Sequence, residues 1–160
     1  NYENTKDKKT LSTLPLLLIF FILLQISIGA FVSGLDAGKV YQTWPLMNFN
    51  YFPDDSSFVN LFSIEVFESP SLIQFIHRNL AYFIFIFLSL ILFIVFKNNE
   101  YHHLRKSVFF VFCVLFIQIV LGILTVLTGV NIYLASLHQF VSIILVTSSL
   151  YLIFKNTNFS

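Results

Sequence analysis

The chain has 160 residues, 57% of them hydrophobic and 11% charged, with a net charge of +1. Soluble domains carry about 25% charged residues, so a water-soluble core of this size could not hide so much apolar surface, and lipid is the expected solvent. The near-neutral balance excludes a broad polyanion-binding surface, and nucleic acid is not an expected partner.

In chain order, four segments are apolar and long enough to cross a bilayer: about 14–32, 72–96, 107–127 and 134–154. The fold expected is an all-α membrane protein, a four-transmembrane-helix bundle forming a single domain over residues 1–160. Pro15 falls in the first turn of its helix, where a missing N–H costs nothing. Seven cations (Lys6, Lys8, Lys9, Lys97, Arg105, Lys106, Lys155) lie on one side, against Lys39 and Arg78 on the other. That bias puts both termini on the cytoplasmic side, or the matrix side of a mitochondrion. Residues 6–33 also read as a secretory signal, but the apolar stretch is longer than the usual h-region. The chain starts at Asn1, not Met, as a piece of a longer protein would. Its one cysteine, Cys113, lies in mid-span, so no intrachain disulfide can form, and it reads as apolar filler.

The spans pair as a repeat of two helices. "LLQISIGAFVSG" (23–34) and "FIQIVLGILTVLTG" (116–129) both carry Gln then Gly four residues later, Gln25/Gly29 and Gln118/Gly122. "QFIHRNLAY" (74–82) and "LASLHQFVS" (134–142) each place a histidine about five residues into a span, and both of those spans end in "FKN". The Gln and Gly pairs serve either close helix packing or the lining of a cofactor pocket.

His77 and His138 therefore lie at matched depth on two helices running the same way. Ionisable residues inside a membrane are functional by default. Two imidazoles in an apolar slot, with no thiolate or carboxylate nearby, suit a heme iron with two axial ligands; zinc would need further ligands that these spans do not supply. Ala135, His138, Ser142 and Ser149 form a stripe with room for a flat macrocycle. Gln74, three residues before His77, is placed to orient that imidazole. Arg78 is suited either to pair with a heme propionate or to snorkel at the interface. His102 and His103, in "KNNEYHHLRK", read as solvated loop residues. Residues 34–71 form an outer loop too long for a simple connector, opening with "GLDAGKVYQTWPLM". Its aromatics suit an interface belt or a lid over the heme.

"QISIGAFVSGLDAGKVYQTWPLM", "QFIHR" and "LHQ" together resemble the C-terminal half of the heme A synthase family, in the form lacking loop cysteines. The likeness covers roughly residues 20–145. It implies half of an eight-helix protein that oxidises the methyl group of heme O to the formyl group of heme A for cytochrome oxidase. It also implies heme b as cofactor, with His77 and His138 as iron ligands and Arg78 as a further heme-binding residue. The catalytic glutamate and histidines of the family belong to the N-terminal half, so no catalytic residue is expected here, and Glu65 and Glu68 do not replace them. Position 42 is Gln where the family usually has Asn. The partners implied are membrane lipid, an N-terminal half carrying the heme O site, heme O synthase and cytochrome oxidase assembly factors. The location implied is the bacterial or mitochondrial inner membrane. Rival expectations from the residues are a free-standing b-type electron carrier, a non-heme assembly protein, or a quinone site using His77 and Arg78.

Overall fold

A computed structural model describes residues 10–158. Lys6, Lys8 and Lys9, counted in the charge bias, lie outside the described residues. Four helices are long and apolar enough to cross a membrane: α1 (Leu14–Gly34), α2 (Pro70–Lys97), α3 (Arg105–Leu127) and α4 (Ile132–Asn158). This is an all-α membrane bundle, and among the described residues the only bridge-type pairing is Met47 with Asn50.

Local chemistry sets the helix ends. Ser69 accepts a hydrogen bond from Leu72 N at 3.4 Å and Pro70 follows it at the first helical position, so α2 starts two residues before its apolar run. Asn131 Oδ1 accepts from Tyr133 N at 3.0 Å and Leu134 N at 3.4 Å, which starts α4 at Ile132. Between α3 and α4, Val130 N reaches Thr125 O at 2.8 Å and Gly129 N reaches Val126 O at 3.1 Å. Gly129 sits at φ +67°, and the pair of bonds forms a Schellman turn that reverses the chain in few residues.

The helices pack in the cyclic order α1, α2, α3, α4, so α2 and α4 face each other across a diagonal. The bundle is filled unevenly along its length. At the end near the chain termini it is solid, with Leu18, Leu88, Ile91, Val95, Leu104, Val108 and Leu152 all buried. Asn156, buried there, accepts from Leu11 N at 2.7 Å and ties the start of the chain to its end. Toward the other end the packing gives way to a hollow, and a smaller apolar cluster of Ile28, Ala37 and Ile73 joins α1, α2 and the connection between them.

That second end is covered by the long connection between α1 and α2, which is folded rather than slack. It contains short 3-10 turns at Ala37–Lys39, Phe58–Phe62 and Ile64–Phe67. Tyr41 and Met47 are buried in it. Gly38 packs so closely on the α3–α4 turn that an added Cβ would stand 2.9 Å from Val130 Cγ2. The connection thus reaches across the bundle mouth.

Candidate heme-binding cavity

A cavity of about 470 Å³ occupies the less filled half of the bundle, and all four helices line it. From α1 come Gln25, Gly29 and Ser33; from α2, His77, Arg78, Ala81 and Tyr82; from α3, Gln118, Gly122 and Thr125; from α4, Ala135, His138, Gln139 and Ser142. Asp36, Gly38 and Trp44 of the connection close its mouth. The volume lies within the range of small-molecule and cofactor sites, and the lining is mostly apolar with few polar groups, as such sites require.

Both histidines predicted from sequence face this one space, each about two turns into its helix. Each meets the glutamine of the preceding helix. Gln25 Nε2 stands 3.2 Å from His77 Nε2 and donates to His77 O at 3.0 Å. Gln118 Nε2 stands 3.4 Å from His138 Nε2, while His138 Nδ1 stands 3.0 Å from Gln118 O. The glycines one turn further along make room for the rings: a Cβ at Gly29 would lie 3.2 Å from His77 Cε1, and one at Gly122 would lie 3.0 Å from His138 Cε1. Gln25, Gly29, Gln118 and Gly122 were open between packing and pocket lining; they line the pocket, and their signal was the shared four-residue spacing.

The cavity carries polar atoms without a protein partner. His77 Nδ1, Gln25 Oε1 and Gln118 Oε1 are buried and make no hydrogen bond. An unsatisfied buried polar group costs about 1–3 kcal/mol, and a bound group or water is one way such atoms become satisfied. Among the described residues, no three His, Cys, Asp or Glu side chains come together. A metal held by these two imidazoles would need its remaining positions filled by another group, as a macrocycle would fill those of an iron.

Arg78 lines the cavity but spends its donors on the connection. Its Nη1 donates to Thr43 O at 2.8 Å and Leu46 O at 3.3 Å, and its Nη2 donates to Tyr41 O at 2.9 Å. Gln74 does not orient His77 as its spacing suggested: its side chain is buried against the connection and donates to Tyr41 O at 2.9 Å. Helical spacing alone placed it beside His77, but the folded connection offers the nearer acceptor. Ser149 lies below the cavity and donates back to Leu145 O at 2.8 Å, whereas Ala135, His138 and Ser142 of the same stripe do reach it. His102 and His103 sit in the turn Asn99–Leu104 at the opposite end, His102 exposed and His103 half-buried.

Tyr41 lies at the centre of this lid. Its hydroxyl donates to Asp55 Oδ1 at 3.3 Å and accepts from Asp54 N at 3.2 Å. Burial, and next the Asp55 carboxylate, push its pKa above the usual 10. Asp55 also accepts from Ser71 Oγ at 2.5 Å, which fastens the lid to the first turn of α2.

The family described as cytochrome oxidase assembly protein, COX15-CtaA, matches residues 1–150. The chain belongs to this family. Curated relatives named heme A synthase are similar over most of its length. The one from Pelagibacter ubique is 43% identical over 157 residues, covering 96% of this chain and 46% of the relative. Those from Rickettsia prowazekii and Bartonella tribocorum are 38% and 42% identical, covering 97% and 79% of this chain and 48% and 36% of the relatives. The chain thus spans about half the length or less of these family members. No solved structure matches it significantly.

Proposed function

We propose that this chain is the heme b-binding half of a heme A synthase, an oxidoreductase that converts the heme O methyl group to the formyl group of heme A for cytochrome oxidase. The observation that carries the reading is one cavity into which His77 and His138 both project, with unsatisfied polar atoms around them. Family membership and relatives named heme A synthase support it. His77 and His138 would hold the iron of heme b. The bound heme would supply one-electron transfer.

The chain's own residues do the rest. The apolar walls exclude water from the site and favour a flat hydrophobic ligand. Gly29 and Gly122 leave the imidazoles room to stand upright between helices. Arg78 keeps the lid seated through its three carbonyl contacts and also lines the cavity, so its positive charge would be available to heme propionates. The charge bias supports both termini on the cytoplasmic or matrix face of an inner membrane, with the lid on the opposite face. The heme O site and its catalytic residues would come from a second half, and heme O synthase and oxidase assembly factors are the further partners this reading names.

The test is a redox difference spectrum of the purified chain, alone and with His77→Ala or His138→Ala. A low-spin b-type spectrum in the unaltered chain, lost in each variant, is expected. The same spectrum surviving both changes would sink the proposal.

A further inference from the structure

The two imidazoles are held differently, and the difference follows from hydrogen-bond chemistry. An amide nitrogen can only donate, and a carbonyl oxygen can only accept. Gln25 Nε2 therefore meets the lone pair of His77 Nε2, and the His77 ring proton sits on Nδ1. At the other site the Gln118 carbonyl requires a proton on His138 Nδ1, which leaves Nε2 as the lone-pair nitrogen. In the unloaded chain both rings thus carry the proton on Nδ1, and each Nε2 lone pair faces a glutamine amide.

What fixes each choice is unequal. His138 is held by a backbone carbonyl at 3.0 Å, and no substitution at position 118 removes a backbone carbonyl. Its contact with the Gln118 side chain is the longer one, 3.4 Å. His77 has no such anchor: among the described residues its Nδ1 is buried without a partner, and the Gln25 amide is the only group that selects its tautomer. That amide is itself fixed, because its second N–H donates to His77 O at 3.0 Å.

We infer that Gln25 positions His77 in the unloaded chain, that Gln118 holds His138 through its main chain rather than its side chain, and that an iron taking the two Nε2 lone pairs would displace the Gln25 amide from His77 while the Gln118 carbonyl kept its hold on His138, so that the two ligands are unequal, His138 firm and His77 releasable. This rests on the heme reading only for its last clause. A hydrogen bond from Nδ1–H to a carbonyl also raises the basicity of the ligand nitrogen, so His138 is the stronger donor of the two.

The experiment uses the near-isosteric variants Gln25→Met and Gln118→Met, which keep volume and remove the amide. In the unloaded chain with ¹⁵N-labelled histidine, each ring's two nitrogen signals report its tautomer. The wild type is expected to show Nδ1–H for both rings. In Gln25→Met the two His77 signals should move toward each other, as a mixed tautomer requires, while in Gln118→Met the His138 signals stay apart. On loading with heme, Gln25→Met should bind at least as tightly as the wild type, because no amide then competes for the His77 Nε2 lone pair, and Gln118→Met, whose amide contact is longer, should change affinity less. A His77 tautomer unchanged in Gln25→Met, or equal responses in both variants, overturns the inference. If the wild type takes up no heme while the tautomer asymmetry holds, the positioning roles stand and the heme reading falls. Heme uptake with symmetric responses gives the converse.

Discussion

The Arg78 guanidinium and the main chain of Tyr41 join the lid to the cavity wall: Nη2 donates to Tyr41 O at 2.9 Å, and the same carbonyl accepts from Gln74 Nε2 at 2.9 Å. One carbonyl thus takes two donors from the first turns of α2, and Arg78 adds Thr43 and Leu46 to the same strap. The helix that carries His77 therefore also carries the fastening of the lid.

Removing that strap should free the lid without unfolding the bundle. Hydrogen bonds from a charged donor contribute about 1.5–3 kcal/mol each, and neighbouring ones do not add in full. Arg78→Ala is expected to lower the local opening free energy by about 2 kcal/mol, or roughly 30-fold in the open fraction. Hydrogen exchange at Met47 N, which bonds Asn50 O at 2.8 Å, reads this directly. Exchange at Val111 and other core amides should not change. Arg78→Lys, with a single point of donation, should recover only part of the protection.

Tyr41 makes the lid sensitive to alkali. Its pKa is raised in the folded protein, first by burial and then by the Asp55 carboxylate. The sign follows: the folded state favours the neutral phenol, so the full stabilisation holds below about pH 10, the ordinary tyrosine value. It is lost as pH climbs through the raised folded value. A tyrosinate absorbance titration of the wild type minus Tyr41→Phe should show one step above pH 10. A step at or below 10 would mean the hydroxyl is not buried against Asp55. At neutral pH, Tyr41→Phe should weaken the lid by about 1 kcal/mol, the worth of an ordinary hydrogen bond.

At the solid end of the bundle, stability depends on Asn156. It accepts from Leu11 N at 2.7 Å and donates to Ser12 O at 3.4 Å, and both Asn156 and Leu11 are buried. Asn156→Ala leaves a buried backbone N–H unpaired and should cost about 1–3 kcal/mol. Asn98 is exposed and its side chain donates to Ile94 O of its own helix at 3.0 Å, so Asn98→Ala should stay within about 0.5 kcal/mol. Thermal unfolding of the two variants in the same detergent compares them.

Much of the bundle was readable because apolar runs of span length admit few alternatives in lipid. The helix ends were missed by a few residues where capping overrides hydropathy: Ser69 with Pro70 starts α2 before Leu72, and Asn131 starts α4 before Leu134. The cavity residues on helices were readable through spacing, since a histidine and a glutamine recur at set places in their spans. Gln74 and Ser149 were misplaced for the same reason, because spacing fixes a helix face but not what lies against it. The true partner of Gln74 is a carbonyl in the connection, and the path of an irregular segment held by Tyr41, Thr43 and Asp55 has no periodicity to read.

The glycines facing the two rings give the last prediction. A Cβ at Gly29 would stand 3.2 Å from His77 Cε1, and one at Gly122 would stand 3.0 Å from His138 Cε1 and 3.5 Å from its Nδ1. Both are tighter than ordinary contact, so each ring must move by a few tenths of an ångström. His77 can give way, because only the Gln25 amide holds it. His138 cannot move without stretching its 3.0 Å bond to Gln118 O. An off-rotamer side chain costs about 0.5–1.5 kcal/mol, so Gly122→Ala should weaken heme uptake by roughly two- to tenfold. Gly29→Ala should weaken it less. Heme titration into the unloaded chain measures both, and a larger loss in Gly29→Ala would show that His77, not His138, is the firmly seated ring.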